Sequence, residues 1–462
     1  MMVHQREPNR QLEQLLSEAH FSRKGLARRV AKLAAEEGLS VRCDHTSVGR
    51  WLAGSVPRDP TPALLAQVFS ERVGRMVTPR DLGMDAVSED QTVGLRYPKT
   101  VHDAVDTASL LWRYDVERRE FLIGSAFAAG AVSAASRDWL IGNSRKELGY
   151  EGGTAFVSMS DVEQVRALGE EFERMSHTFG SQKIRRYMVD YLRHEVGPLL
   201  KRTRTEKVGR ELLHVAAEFT AAAGYMAVDC NDLNLAERYY IQALRLADAA
   251  DSRRYGAQVM ATHMGHLALY AEHPREAVQL AEAARSGTRQ KTEPLAAAVT
   301  WVVEARGYAR MGDTLACQRA LSQAERYFCR SNPSEAPRYL RYFQQAYLSD
   351  AFAHCFRDLN QPHKASEFAR LALRDLPSTH TRRRAINTGI LAHACLANNE
   401  PEEAAAHGLE VVRLASSLRS PRARNRIATL HAGFLPHQKA PGVAVFLKRA
   451  DALLQQGSVQ AV

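Results

Sequence analysis

One spacing recurs five times between Ala236 and Val411, and it constrains the chain more than any other feature. Triplets at n, n+4 and n+7 stand at Ala236-Tyr240-Ala243, Ala277-Ala281-Ala284, Cys317-Leu321-Ala324, Ala365-Ala369-Ala372 and Ala404-Gly408-Val411. That spacing places all three members on one face of a helix. A turn precedes each triplet: Asn231-Asp232, His273-Pro274, Gly312-Asp313, Asn360-Gln361-Pro362 and Asn399-Glu400-Pro401. Twelve residues before each first member stands another small residue: Gly224, Gly265, Ala305, Ala353 or Ala392. Small side chains on both arms of a helical hairpin let its helices cross closely. A single hairpin cannot bury its apolar face alone, so consecutive hairpins are expected to stack. The third unit adds Trp301 and Tyr308, seven apart on one face.

The first members recur at steps of 41, 40, 48 and 39 residues. The pattern resembles the tetratricopeptide repeat, a helix-turn-helix unit of about 34 residues. The longer steps here predict extended helices or connections. The stretch Asp161 to Ala217 is expected to supply one or two degenerate units ahead of the five. The resemblance implies an α-solenoid whose concave surface, lined by one helix of each pair, receives a peptide, a small molecule or a protein partner. Candidate lining residues, taken from the periodicity, are Gln258, His263, Arg306, Gln344, Gln345 and Asn387. Three basic clusters, Lys183 to Arg186, Arg382 to Arg384 and Arg422 to Arg426, are expected to be solvated faces. The alternative is an electropositive groove for an acidic peptide or phosphorylated ligand.

A second organised stretch runs from Ser22 to Gly54, SRKGLARRVAKLAAEEGLSVRCDHTSVGRWLAG. Leu26, Val30 and Leu33 share one helical face, and Ala27 leaves room for a crossing helix. In a short second helix, Thr46 or Ser47 can cap the start, Val48 and Trp51 point inward, and Gly54 ends it in the left-handed conformation. His45, Thr46, Ser47, Gly49 and Arg50 are left facing outward. A capped helix that presents polar side chains and Arg, propped on a helix rich in Arg and Lys, is how a major-groove reader is built. A helix before this pair (Asn9 to Ser17), one after it capped by Thr61 with Pro62 at its first position, and a turn at Val77 to Leu82 complete a unit of residues 1–83. This unit carries 13 basic and 9 acidic residues, a balance of +4.

The residues Leu26-Ala27 with Val30, followed by Ser47-Val48 with Arg50-Trp51 and Gly54, resemble the helix-turn-helix of the Cro/C1 repressor type. Carried over residue by residue, His45, Thr46 and Arg50 take the places that reach base edges, and Ser22 and Arg23 the place that holds a phosphate. Arg28, Arg42 and Ser47 belong to the same expected DNA-binding set. One departure is plain. The motif leaves roughly four residues between its helices, whereas Ala31 to Asp44 intervene here. Either the first helix runs on to Glu37, or an extension fills the turn.

Residues 84–160 read as a linker followed by connecting or dimerising helices. Met84 to Lys99 is polar and aperiodic, and Val101, Val105, Ala108, Leu111 and Trp112 then trace a stripe. Arg118-Arg119 before an apolar run superficially copies a twin-arginine export signal, but it stands more than 100 residues into the chain. Gly142 to Thr154 is glycine-rich and charged, an expected loop. The net charge of +10 over 462 residues suits a polyanionic partner. Six cysteines without paired spacing argue for thiols in a reducing cytosol rather than disulfides or zinc. No run approaches the ~20 apolar residues that span a bilayer.

Catalytic chemistry is not evident. His263 and His266, with His273 nearby, lack a carboxylate or Cys to complete a metal set. No phosphate loop, nucleophile elbow or paired carboxylate motif occurs. The expectation is therefore an all-α chain: a helix-turn-helix domain at 1–83, connecting helices at 84–160 and a tetratricopeptide-like α-solenoid at 161–462. Both ends together resemble bacterial regulators of development and antibiotic production in filamentous bacteria. Other members of that layout respond to signalling peptides. The resemblance implies a cytoplasmic, homodimeric transcriptional regulator that binds double-stranded DNA, with no membrane partner, no cofactor and no enzymatic activity. The alternative is a repeat-based interaction scaffold whose helix-turn-helix is vestigial.

Overall fold

The computed structural model describes residues 8–36, 41, 43–55, 57, 60–75, 77, 81–84, 92–117, 127–142, 156–202, 204–288, 293–332, 334–418 and 421–458. Its regular structure is helical, and the chain divides into two compact units, 1–92 and 93–462. Arg42, the Arg118-Arg119 pair and most of the glycine-rich loop fall outside the described residues.

In the first unit, α1 (Arg10–Glu18), α2 (Arg23–Glu36), α3 (His45–Leu52) and α4 (Thr61–Val73) enclose a core of Leu12, Leu15, Leu26, Val30, Val48, Trp51, Leu65 and Phe69. Helix α2 extends to Glu36, the longer-helix alternative for the interval between the two motif helices. Two caps differ from expectation. Asp44, not Thr46 or Ser47, starts α3: its carboxylate accepts from the Ser47 amide at 2.7 Å and from the Thr46 and Ser47 hydroxyls at 2.7 and 2.8 Å. A carboxylate can take all three donors, which a hydroxyl cannot. Thr61 is the first helical residue of α4 and makes no side-chain cap; Pro60 precedes it. Gly54 adopts φ +92°, as its place after α3 requires.

The second unit is a stack of helical hairpins. They pair α10 (Glu206–Asp229) with α11 (Leu233–Ala249), and α12 (Arg253–Gln258) and α13 (Gly265–Tyr270), joined by a π-helical turn Val259–Met264, with α14 (Pro274–Gly287). Next come α15 (Pro294–Arg310) with α16 (Thr314–Cys329), α17 (Gln345–Asp358) with α18 (Pro362–Asp375), and α19 (Thr381–Ala397) with α20 (Pro401–Ser417). A sixth pair that the triplet pattern does not reveal, α21 (Pro421–Phe434) and α22 (Pro441–Ser458), follows. Ahead of them α7 (Met159–Phe179) packs on α8 (Ser181–Tyr191), and a π-helical turn Leu192–Val196 leads to α9 (Gly197–Leu200). The degenerate unit thus ends before Glu206, because Glu206 to Ala217 already belongs to the first full hairpin.

The five expected turns share one geometry. The second residue after each first helix is left-handed: Asn231, Glu272, Gly312, Asn360 and Asn399, at φ +54° to +77°. The next amide closes back on the first helix, for example Asp232 N–H to Ala227 O at 2.9 Å and Glu400 N–H to Cys395 O at 2.8 Å, a Schellman stop. The second helix then starts with an Asp cap (Asp232, Asp313) or a proline in its first turn (Pro274, Pro362, Pro401). Within the hairpins the small residues meet. A Cβ on Gly224 would lie 2.6 Å from the Tyr240 ring; between successive hairpins, one on Gly265 would lie 2.7 Å from Val303.

The segment expected as a linker differs from expectation where it is described. Residues 93–99 form a strap bound to α11. Gln242 Nε2 donates to Gly94 O and Arg96 O at 2.8 Å each, Arg245 Nε to Pro98 O at 2.6 Å, and Arg238 to Val93 O. Helices α5 (Val101–Glu117) and α6 (Ala129–Ile141) also pack on α11, so that its outer polar row is buried and Trp112 lies wholly inside the chain. Glu237 sits in this row and accepts from the Ala128 amide at 3.0 Å.

Two outcomes are expected in chemical denaturation. Gly224→Ala overpacks the α10–α11 crossing and lowers stability by about 1–3 kcal/mol. Burial pushes the Glu237 carboxyl up to about 7. A raised folded value means that its contribution is present below about 4.5 and lost as pH rises through about 7. Glu237→Gln should therefore flatten the fall in stability across that window; an unchanged slope would remove Glu237 as its source.

Candidate functional site

Stacking the hairpins turns the first helix of each pair inward, and α7, α10, α13, α15, α17, α19 and α21 all contribute to one cavity of about 650 Å³. That is the size of a small-molecule pocket. Two local irregularities shape it. The π-helical turn brings Thr262 and His263 to its wall. The longest repeat step, 48 residues, is taken up by residues 330–344, whose short 3-10 turn Arg338–Leu340 delivers Tyr339 and Tyr342. Seven of the fifteen tyrosines of the chain line this one cavity. They interlock edge to face, Tyr255 with Tyr339 at 5.0 Å and Tyr342 with Tyr347 at 5.3 Å between ring centroids.

Charged groups of both signs line the cavity. Glu173 on α7 and Glu218 on α10 stand at one end. Although Glu173 is an exposed residue, desolvation of its carboxyl, reinforced by Glu218, pushes it up to about 7. At the other end are Arg306, Arg383 and Arg422 from α15, α19 and α21. Asp350, buried on α17, holds part of that end in place: Arg383 donates to it at 2.6 Å and Asn387 at 2.7 Å. His266 and His354 are held well below the ordinary imidazole value, by burial first and then by Arg306. Tyr270 is brought down to about 8: burial opposes ionisation of its phenol, but Arg422 and Arg306 outweigh it.

Of the residues expected to line the groove, the structure places Gln258, His263 and Arg306 on the cavity wall. It does not place Gln344, Gln345 or Asn387 there. Gln344 and Gln345 are exposed at the start of α17, and Asn387 is fully buried against Asp350. The basic clusters are likewise not simply solvated. Arg185 pairs with Asp115 in the core. Arg382 is buried, donating to Ser176 O at 2.7 Å and lying 3.4 Å from Asp229, while Arg383 and Arg422 face the cavity. His273 packs on Phe127 and His266 bonds Thr262 O, so His263, His266 and His273 do not converge. Cys395, Glu403 and His407 do approach one another. Glu403 is committed to Arg370 at 2.6 Å, and burial first, then nearby acids, pushes the Cys395 thiol up to about 11.

In the first unit, His45, Thr46 and Arg50 on α3 and Ser22, Arg23, Lys24 and Arg28 on or beside α2 are exposed. The Arg23 guanidinium comes within 3.9 Å of the point where a Cβ on Gly49 would stand, beside α3. Ser22 Oγ accepts from the Gly25 amide at 3.0 Å and so caps α2. Ser47 differs from expectation: it is buried, its hydroxyl turned to Asp44 and accepting from Arg50 at 3.2 Å.

Residues 12–85 match the family model of the SP15 N-terminal domain. No curated protein matches the chain. Among solved structures it is similar to a signal transduction ATPase with numerous domains (STAND) protein with a tetratricopeptide repeat sensor from Pyrococcus horikoshii. The identity is 14% and the TM-score 0.35, over 98% of this chain and 64% of that one. No described helix is long and apolar enough to cross a membrane.

Removing Asp350 tests the electrostatic frame of the cavity. Asp350→Ala leaves Arg383 without its partner and should cost about 3–5 kcal/mol of stability. The double variant with Arg383→Met should recover most of it in the same denaturation assay.

Proposed function

We propose that the chain is a DNA-binding transcriptional regulator, acting as a homodimer in the cytoplasm, whose repeat unit senses a ligand that modulates DNA binding. The observation that carries the DNA-binding half is the division of α3. Val48 and Trp51 anchor it in the core, while His45, Thr46 and Arg50 project outward with Arg23 alongside. This is the arrangement of a recognition helix, with Arg50 suited to bidentate contact with a guanine edge and Arg23 to a phosphate. One helix of eight residues reads few bases, and pairing two copies on half-sites supplies the missing specificity. The sensing half rests on the cavity, which is large enough for a small ligand and carries charged groups at both ends. Its aromatic and cationic lining offers recognition chemistry, and this reading assigns no catalytic step to the chain.

Arg50→Ala should lower affinity for a preferred sequence by about 1–3 kcal/mol and relax specificity at one base position. Arg23→Ala should weaken binding to all sequences alike and reduce the salt slope by about one. Fluorescence anisotropy on a preferred and a scrambled duplex at several salt concentrations separates the two. Equal losses for both variants on both duplexes would contradict the assigned roles. Tight, salt-insensitive retention of a partner protein with no DNA binding would favour the scaffold alternative.

A further inference from the structure

The basic end of the cavity holds more positive charge than the protein neutralises. Neither Arg306 nor Arg422 forms an ion pair among the described residues, and Arg306 Nε is buried without a hydrogen-bond partner. The carboxylate on that wall, Asp350, is already committed to Arg383 and Asn387. Behind the wall Arg426 and Arg422 share a small recess with Arg382 and, among the described residues, a single carboxylate, Asp229, which lies 3.4 Å from Arg382. Burial first, then Arg422 and Arg357, brings the Arg426 guanidinium down to about 9, whereas at Arg422 Tyr270, Tyr225 and Asp229 outweigh burial and hold the guanidinium above its ordinary value. Half-buried cations that converge with few carboxylates beside them are stabilised when an anion joins them.

The wall beside these arginines is aromatic. The Arg422 guanidinium lies 4.0 Å from the Tyr270 ring centroid, Arg383 lies 4.0 Å from that of Tyr347, and Tyr240 packs on His263 at 5.2 Å. Such rings accept a flat group by stacking or edge contact. Side-chain amides, which a peptide backbone needs along a groove, are nearly absent. Gln258 is the single Asn or Gln among the lining residues, and its amide donates to the Tyr342 hydroxyl at 3.1 Å.

We propose that the cavity takes a compact, ring-bearing anion. Its phosphate or carboxylate group sits on Arg306 and Arg422, and its ring lies among Tyr240, Tyr270 and Tyr347. This rests on the reading of the cavity as the sensor's ligand site and names the ligand's chemistry. An anion there neutralises the excess charge, so binding and stability of the unliganded protein should oppose each other at Arg306.

Calorimetric titration of the full chain with phenyl phosphate, benzoate, inorganic phosphate, benzyl alcohol and tetra-alanine tests it. Phenyl phosphate or benzoate should bind at least about tenfold more tightly than inorganic phosphate, benzyl alcohol or the peptide. The order of the first two separates a phosphate from a carboxylate ligand. Arg306→Gln and Arg422→Gln should each weaken the better anion by about tenfold or more, and Arg306→Gln should raise the Tm of the unliganded protein. Benzyl alcohol binding as well as the anions, no anion binding, or a fall in Tm for Arg306→Gln would overturn the proposal. Preference for tetra-alanine would overturn it while leaving the sensor reading intact, and DNA retention by the same full chain bears on the regulator reading alone.

Discussion

The close crossing of two helices within each hairpin is the interaction on which the repeat unit depends. Gly224 against Tyr240 leaves no space for another methyl group, so these backbones approach only because the side chain is missing, and Gly265 against Val303 does the same between one hairpin and the next. The left-handed turn residue sets the reversal that makes the crossing possible, and the Schellman stop ends the first helix in the same register each time. With crossing and turn repeated, first helices fall on the inner side and second helices outside. The cavity is a consequence of that arithmetic, not a separate invention. What makes it specific are the two departures from regularity, the π-helical turn at Val259–Met264 and the inserted residues 330–344. π-Helical turns recur at functional sites because they rotate side chains out of the periodic pattern.

Buried polar groups fix how the surrounding helices sit on this frame. Arg238, Gln242 and Arg245 on α11 have their partners on the backbone of the strap at 93–99, and Asp115 on α5 takes both Arg185 and the Tyr239 hydroxyl, the latter at 2.7 Å. Each such group would cost free energy if the strap or α5 slipped by one residue, so they specify register more than they add stability. At Arg306 and Arg422 no carboxylate forms an ion pair among the described residues, although Asp229 acts on Arg422 across the small recess behind the wall. Asp115, Asp229 and Asp350, by contrast, each lie against an arginine: Arg185, Arg382 and Arg383.

The architecture was largely legible in the chain because period and turn chemistry are local. Leu26, Val30, Val48 and Trp51 announce a two-helix core by spacing alone, and the five triplets mark hairpins whose turns are Asn, Gly or Pro for stated reasons. The final hairpin escaped because Pro421–Phe434 and Pro441–Ser458 are joined through a 3-10 turn and lack the small triplet. Asp44 escaped as the cap because the hydroxyls after it also satisfy the local rule, and only geometry shows all three donors aimed at one carboxylate. At the cavity, Gln258 and Arg306 follow from helix periodicity, whereas His263 is placed by the π-helical turn and Asn387 is turned inward to Asp350 by a partner 37 residues earlier. Tyr339 and Tyr342 lie in an irregular insertion with no period to read. The strap is held by contacts across some 145 residues that leave no trace in its own polar, linker-like sequence.

The central claim is that this chain reads DNA through α3. Selection of bound sequences from random duplex DNA, run side by side with the full chain and with the full chain carrying Arg50→Ala, tests it most directly. The account predicts that the unaltered chain enriches a two-fold related motif, and that Arg50→Ala loses preference at one symmetric base position of it. Failure of the unaltered chain to enrich any motif at moderate salt would contradict the claim, and so would an identical motif from both proteins.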